Sequence, residues 1–262
     1  MQITNHKITP SIDSPSPNKS GVISPKFIVM HYTAGFTEES AVNTLTRSGS
    51  GVSAHLTLGL NGTLYQHVPF NRKAWHAGPS RHMGYSGLNS HSIGIEIVNA
   101  GWFRRDTDGN YVRNNIVRRP DQMPPMIEAA NSRVGSGTLY WPQYTDAQLE
   151  ALDDITSAIV TDYNILDIVT HEEIDTRGWK TDPGPAFPMQ RYNNLMGGRD
   201  IDADTYAVTA SSLNVRSGPG VNYAKIGDSL SKGSLVTPTD VRGNWTRISG
   251  DGWVHNGYLQ RV

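Results

Sequence analysis

ILDIVTHEEIDTRGWKTDPGPAF, residues 165–187, opens as an apolar, β-branched run and closes on a stiffened loop. Residues 165–170 read as a strand that leads directly into His171. Eleven residues later Asp182 supplies a carboxylate, with Lys180 two positions before it and Pro183, Gly184 and Pro185 behind it. Imidazole nitrogen and carboxylate oxygen are ligand types that a hydrolytic Zn²⁺ uses. A catalytic zinc takes three protein ligands and keeps one position open. This stretch supplies two, so the third must lie elsewhere.

Working outward, KFIVMHY (26–32) and SIGIEIV (92–98) also read as buried strands. HLTLGLNGTLYQHV (55–68) reads as a hairpin around Asn61-Gly62. Residues 37–47 predict a helix capped by Thr37, with Ala41, Val42 and Leu45 on one face and Gly49 and Gly51 past its end. Residues 145–163 predict the clearest helix. Thr145 and Gln148 form a capping box, and Leu149, Leu152, Ile155 and Ile159 form an apolar stripe. Strands interleaved with helices point to an α/β fold with a central, mostly mixed sheet flanked by helices. The arm 1–25 is read as irregular. Residues 102–143, rich in charge, Pro and Gly, are read as an insertion with at most one helix near 122–131.

Composition narrows the function classes. Of the 262 residues, 37% are hydrophobic and 18% charged, which is globular rather than disordered. A formal net charge of −1 leaves no electrostatic footprint for nucleic acid. The chain has no Cys, which excludes disulfides, a Cys nucleophile and thiolate metal sites. Any metal must then be held by His, Asp or Glu. No apolar run approaches the roughly 18 residues of a membrane span. The polar, Pro/Ser-rich N-terminus lacks the apolar core of a secretory signal. Synthesis without such a signal is therefore expected.

His31 follows the apolar run FIVM, as His171 follows ILDIVT. With Asp182 they complete a His₂-carboxylate set suited to one catalytic zinc. Spacing alone is a weak signal, because only the fold can bring His31 to the other two. A lone His after a strand is more often structural, and Asp before Pro is a common turn.

Five separated blocks carry a resemblance over most of residues 22–190. They are FIVMHYTAG (27–35), SAHLTLGLNGTLYQHVPFNRKAWHAG (53–78), NSHSIGIEIVNAG (89–101), YTDAQLEAL (144–152) and THEEIDTRGWKTDPGPAF (170–187). In this order they resemble the zinc-dependent N-acetylmuramoyl-L-alanine amidases, the AmpD-like group related to phage lysozyme-type amidases and peptidoglycan recognition proteins. The resemblance implies zinc at His31, His171 and Asp182, Glu96 as the catalytic carboxylate, and Lys180 as the cation near the scissile carbonyl. It implies peptidoglycan or muropeptides as partner and hydrolysis of the bond between N-acetylmuramic acid and L-alanine. In isolation, Glu96 would read as a sheet-edge carboxylate paired with an Arg, and Lys180 as a solvated loop lysine. His76 either touches substrate or stands behind a ligand, or is a packed histidine beside Trp75. His55 is expected to be structural. Trp75, Trp179 and Asn99 are candidates for lining a glycopeptide groove, although Trp is equally an ordinary core residue.

Residues 211–259 resemble bacterial SH3-like (SH3b) domains, marked by LNVRSGPG (213–220), Trp245 and the ending GWVHNGYL. Such a module either tethers the enzyme to the wall or packs as an inert appendage. Trp245 and Trp253 serve as barrel core or as ligand platform. The expected organisation is a catalytic domain over 1–196, with arm 1–25 and insertion 102–143, a linker over 197–205, and an all-β SH3b domain over 206–262. Wall lysis as an endolysin or delivered effector is the leading setting, and an immunity protein becomes a partner in the second case. A monomer without membrane insertion is expected. The alternatives are a non-catalytic recognition protein and a cytosolic muropeptide-recycling amidase.

Overall fold

The apolar runs become the middle of a six-stranded sheet in the computed structural model, which describes residues 1–197, 206–248 and 252–261. In chain order its strands are β1 (Ile12–Asp13), β2 (Phe27–Tyr32), β3 (Leu56–Leu58), β4 (Leu64–Gln66), β5 (Ser92–Ile97) and β6 (Asp167–Thr170). Their spatial order is β6-β2-β5-β3-β4-β1. β6, β2, β5 and β3 run parallel to their neighbours, β4 returns antiparallel to β3, and β1 lies parallel to β4. Phe27, Ile28, Val29 and Met30 are fully buried, as expected of a parallel strand covered on both faces. The fold class is the one read from the sequence, a mixed sheet with helices against it.

Helix α1 (Glu38–Thr46) starts where Thr37 accepts a hydrogen bond from Ser40 N, with Glu38 and Glu39 in its first turn. Acidic residues there complement the helix dipole. Helix α2 (Asp146–Asp162) has the expected capping box, in which Thr145 and Gln148 satisfy each other's backbone. Such a cap is worth about 1 kcal/mol. Leu152, Ile155 and Ile159 face the core, while Leu149 is only partly buried. The side chain of Gln148 also donates to Val98 O at 2.8 Å, tying α2 to the end of β5. The β3–β4 hairpin forms, but its loop spans five residues, with Gly62 at φ +83°.

Two expectations are corrected. The arm is not irregular: Gln2–Thr4 pairs with Lys7–Thr9, Ile12–Asp13 adds to the central sheet, and Lys19–Val22 pairs with Arg72–Ala74. These strands are short and largely exposed on one side, so their composition looks like a loop's; strand partners, not apolar content, hold them. Nor does a helix form near 122–131. A 3₁₀ turn at Pro120–Gln122 is followed by strand Met126–Asn131, paired antiparallel with Gly135–Pro142. The alanines of MIEAAN favour helix, but pairing with the Leu139 and Trp141 strand overrides propensity. Three further short strands, Arg104–Arg105, Tyr111–Arg113 and Ile116–Arg118, make a small sheet around Phe103 and Tyr111.

The chain divides into two compact units, one of Met1–Arg81 with Gly87–Tyr192, the other of His82–Ser86 with Asn193–Val262. The proposed linker 197–205, save Gly197 at the end of helix Met189–Gly197, lies outside the described residues. Within the C-terminal unit, Pro238–Arg242, Trp245–Ile248 and Gly252–His255 form one antiparallel sheet. A second sheet joins Tyr206–Val208 to Leu235–Val236 and Leu259–Arg261. Val208, Leu213, Val236, Ile248 and Val254 form its core. Trp253 is buried, whereas Trp245 is partly exposed beside Arg216 and His255. Among the described residues no helix is long and apolar enough to cross a membrane.

Candidate functional site

The carboxyl ends of β2, β5 and β6 converge, which in open α/β sheets is where ligand crevices form. His31 is the fifth residue of β2, inside the strand rather than after it. Glu96 lies opposite it in register on β5, so the two side chains leave the same face of the sheet. His171 follows the last residue of β6 and opens a single helical turn, His171–Ile174, capped by Thr170 and Glu173. The chain then loops back to bring in Asp182.

His31 Nδ1 stands 3.0 Å from His171 Nδ1 and 2.9 Å from Asp182 Oδ2, and His171 Nδ1 is 2.9 Å from the same oxygen. All three residues are buried. The surroundings fix the protons. Ser92 Oγ donates to Leu88 O at 2.6 Å, so it accepts from His76 Nε2 at 3.3 Å. Burial, followed by the neighbouring histidines, holds His76 well below the usual imidazole pKa. Its Nδ1 therefore accepts from His31 Nε2 at 3.0 Å. Burial also lowers His31 to about 4, with His171 adding to the effect against Asp182. A neutral His31 whose Nε2 proton is committed to His76 turns a lone pair toward Asp182.

Burial pushes the Asp182 carboxyl up, but its contacts with the imidazoles, that of His171 first, outweigh it and hold the group far below the usual carboxylate range. Three donor-set atoms within 3.0 Å of one another, on His31, His171 and Asp182, then share at most one proton, which His171 carries. A divalent cation satisfies all three, and two imidazoles with a carboxylate are a zinc donor set. Among the described residues this is the only group of three such side chains close enough to hold an ion. The residues fit a metal.

Glu96 is half-buried and opens on the cleft. Removal of hydration pushes its pKa up to about 8; Asp182 adds to the rise and Lys180 opposes it. It is therefore no edge carboxylate, since β5 is flanked by β2 and β3. The cleft measures about 370 Å³ and is lined by the three candidate ligands together with Glu96, Lys180, His76, Trp75 and Trp179. Trp179 is 57% exposed, between Arg177 at 4.5 Å and Lys180 at 4.9 Å from its ring. Trp75 donates from its indole to Ser20 Oγ at 3.2 Å. Asn99 is placed differently. Its amide donates to Pro142 O and accepts from Gly101 N, holding a turn outside the cleft lining. His55 accepts from Gly94 N and faces Arg72 O, a fully satisfied buried position.

Several contributors lie inside the matching blocks but drew no role from the sequence. Gly94 leaves the slot for His76: a Cβ there would meet the imidazole at 2.5 Å. Asn89 Oδ1 accepts from His76 N and Ala77 N. Tyr32 meets Thr181 Oγ1 at 2.5 Å, and Tyr144 donates to Pro183 O at 2.8 Å, holding the backbone on both sides of Asp182. The glycine in SIGIEI was a usable signal, because Gly inside a strand often marks a close approach.

Comparison with known proteins agrees with this geometry. Residues 21–185 match the family described as N-acetylmuramoyl-L-alanine amidase, and residues 211–260 match the bacterial SH3 domain. The 1,6-anhydro-N-acetylmuramyl-L-alanine amidase AmpD of Salmonella typhimurium is 32% identical over 146 residues, covering 55% of this chain and 57% of that protein. The N-acetylmuramoyl-L-alanine amidase AmiD of Escherichia coli is 31% identical over 175 residues, covering 63% and 51%. The chain thus spans little more than half the length of these relatives. A crystal structure of an AmpD selenomethionine derivative superposes with a TM-score of 0.53 at 25% identity, over 74% of this chain and 99% of that one.

Proposed function

This chain belongs to the N-acetylmuramoyl-L-alanine amidase family, and from that membership we propose that it hydrolyses the amide between N-acetylmuramic acid and the L-alanine of a peptidoglycan stem peptide. The observation that carries this is the close cluster of potential ligand atoms on His31, His171 and Asp182, set beside Glu96 at the strand ends.

His31, His171 and Asp182 would hold one zinc ion. Bound there, zinc supplies Lewis acidity toward the amide carbonyl and lowers the pKa of water. Glu96 serves as general base and then acid. It takes a proton from the attacking water and returns it to the L-alanine nitrogen as the C–N bond breaks. Its raised pKa suits a group that must both accept and release a proton near neutrality. Lys180 offers a positive charge to the oxyanion that develops on the carbonyl oxygen, an effect worth a few kcal/mol in such sites. Trp75 and Trp179 offer faces for the glycan or peptide at the cleft walls. His76 acts through His31, fixing its tautomer so that Nδ1 faces the ion.

The C-terminal unit serves as a wall tether, raising the local concentration of cleavable bonds. Its bacterial SH3 match supports the polymer as substrate and the cell wall as the place of action. A second reading, a muropeptide-recycling amidase, is favoured by the AmpD relatives, whose names specify the 1,6-anhydro sugar. Mass spectrometry of sacculi and of soluble anhydromuropeptides, each digested with and without chelator, tests bond, metal and substrate form together. Release of L-alanine-terminated peptides that stops with chelator supports the amidase. New reducing sugar ends without peptide release would overturn it.

A further inference from the structure

The hairpin formed by Met126–Asn131 and Gly135–Pro142 touches the ligand loop at three places. Asn131 Nδ2 donates to both carboxylate oxygens of Glu172, the residue after His171, at 3.1 and 3.2 Å. Arg133 Nη1 donates to the carbonyl of Lys180 at 2.9 Å and lies 3.8 Å from Asp175 Oδ2, while its Nε is 3.7 Å from Glu172 Oε1. Trp141 packs on Gly184 so closely that a Cβ there would stand 2.6 Å from the indole. That indole is itself fixed by donating to Ala129 O at 3.0 Å. Lys180 and Gly184 lie two residues before and after Asp182, so the hairpin grips the loop on both sides of a candidate ligand.

Asp175 completes the grip. Its Oδ2 accepts from Trp179 N at 3.1 Å and from Lys180 N at 3.2 Å, with the side chain fully buried. Lys180 is therefore held at its N–H by Asp175 and at its carbonyl by Arg133. Between the helical turn at His171–Ile174 and Pro188 the only sheet pairing is a single bridge from Asp175 to Ser80, at the start of the loop. Without outside anchors its backbone would have to be ordered when a metal or substrate arrives, at an entropic cost of about 1–2 kcal/mol per residue. An arginine suits the anchor because its planar fork reaches several acceptors at once.

We propose that this hairpin is a brace for the loop carrying Lys180 and Asp182, and that Arg133 is its positioning residue. The consequence for metal binding rests on the metal reading above; the effect on loop order does not.

The test compares the full-length chain with Arg133→Ala and Asn131→Ala. Amide hydrogen exchange is read over residues 171–187 in the metal-free protein, zinc affinity by chelator competition, and kcat and KM separately. Arg133→Ala is expected to speed exchange around Lys180 severalfold. It is expected to weaken zinc binding about 10–100-fold, the range typical of groups that orient ligands, and to lower kcat more than KM. Exchange and zinc affinity within twofold of the parent would overturn the brace. If Arg133→Ala fails to fold, Asn131→Ala decides. Faster exchange around Glu172 and Asp182 supports the brace, and parental exchange rejects it. A parent chain that binds no zinc would sink the metal reading, while the exchange comparison still judges the brace.

Discussion

Glu96 and His31 occupy paired positions on adjacent parallel strands, so one face of the sheet presents a carboxylate beside a candidate metal ligand. The two roles should separate by mutation. Glu96→Gln keeps shape and removes the base. Zinc affinity, measured by chelator competition, should stay within a few-fold of the parent. Turnover should fall about 10²–10⁴-fold, the usual share of general acid–base catalysis. Full activity in the variant would remove Glu96 from the mechanism.

The raised pKa of Glu96 gives two pH predictions. As a base it works ionised, so kcat/KM should rise with pH along a limb that Glu96→Gln abolishes. A bound dication draws this limb below the value of about 8. In metal-free protein the folded state holds a proton on Glu96 between about 4.5 and 8, where the unfolded chain has lost it. The folded state then binds more protons, so stability contributed here falls as pH rises through that window. The buried histidines, lowered by burial, act in the opposite sense below about 6.5, so the decline is read as the difference in thermal stability between chelated parent and Glu96→Gln, which should shrink from pH 5 to 8.

Gly94→Ala probes the slot behind His31. The new methyl would meet the His76 ring at 2.5 Å, so the strand or the buried imidazole must shift. Overpacking of this kind costs about 1–3 kcal/mol. Loss of the His76 contact should also weaken zinc binding about 10–100-fold, as should His76→Ala. Parental zinc affinity in both variants would refute the proton chain from Ser92 to His31.

Chelation should abolish amide cleavage, and zinc should restore it. Because the ion binds the folded state, saturating zinc at 100 times its Kd should stabilise the protein by about 2.7 kcal/mol. Asp182→Asn leaves a neutral amide in place of the anionic donor and should lose most of that thermal shift. An unchanged melting temperature with zinc in the parent protein would count against the site.

Removing residues 206–262 should weaken sedimentation with sacculi more than it slows cleavage of a small soluble muropeptide. Equal losses in both assays would assign the C-terminal unit a structural role.

Much of the frame was legible because it rests on local pattern. The buried runs at β2, β5 and β6, the Thr145–Gln148 capping box and the Thr37 cap are statements about neighbours in sequence, and the structure keeps them. The arm and the 126–142 hairpin were misread for one shared reason. A strand that is polar or alanine-rich carries no periodicity to announce it, whether its partner is near in sequence, as for Gln2–Thr4 and Met126–Asn131, or distant, as for Lys19–Val22. The resemblance named His31, Glu96, His171, Lys180 and Asp182 without their geometry.

By itself the sequence determined the available chemistry. Without cysteine, a metal had to be held by imidazole and carboxylate, and the strand-to-loop stretch around His171 and Asp182 offered both. Only the tertiary structure decided that His31 joins them, because 140 residues separate it from His171 and the β2–β6 pairing closes that gap. Tertiary structure alone also set the protons, through Ser92 and His76, and held Lys180 between Asp175 and Arg133. Hydrogen bonds between distant segments act through space, and no spacing along the chain encodes them.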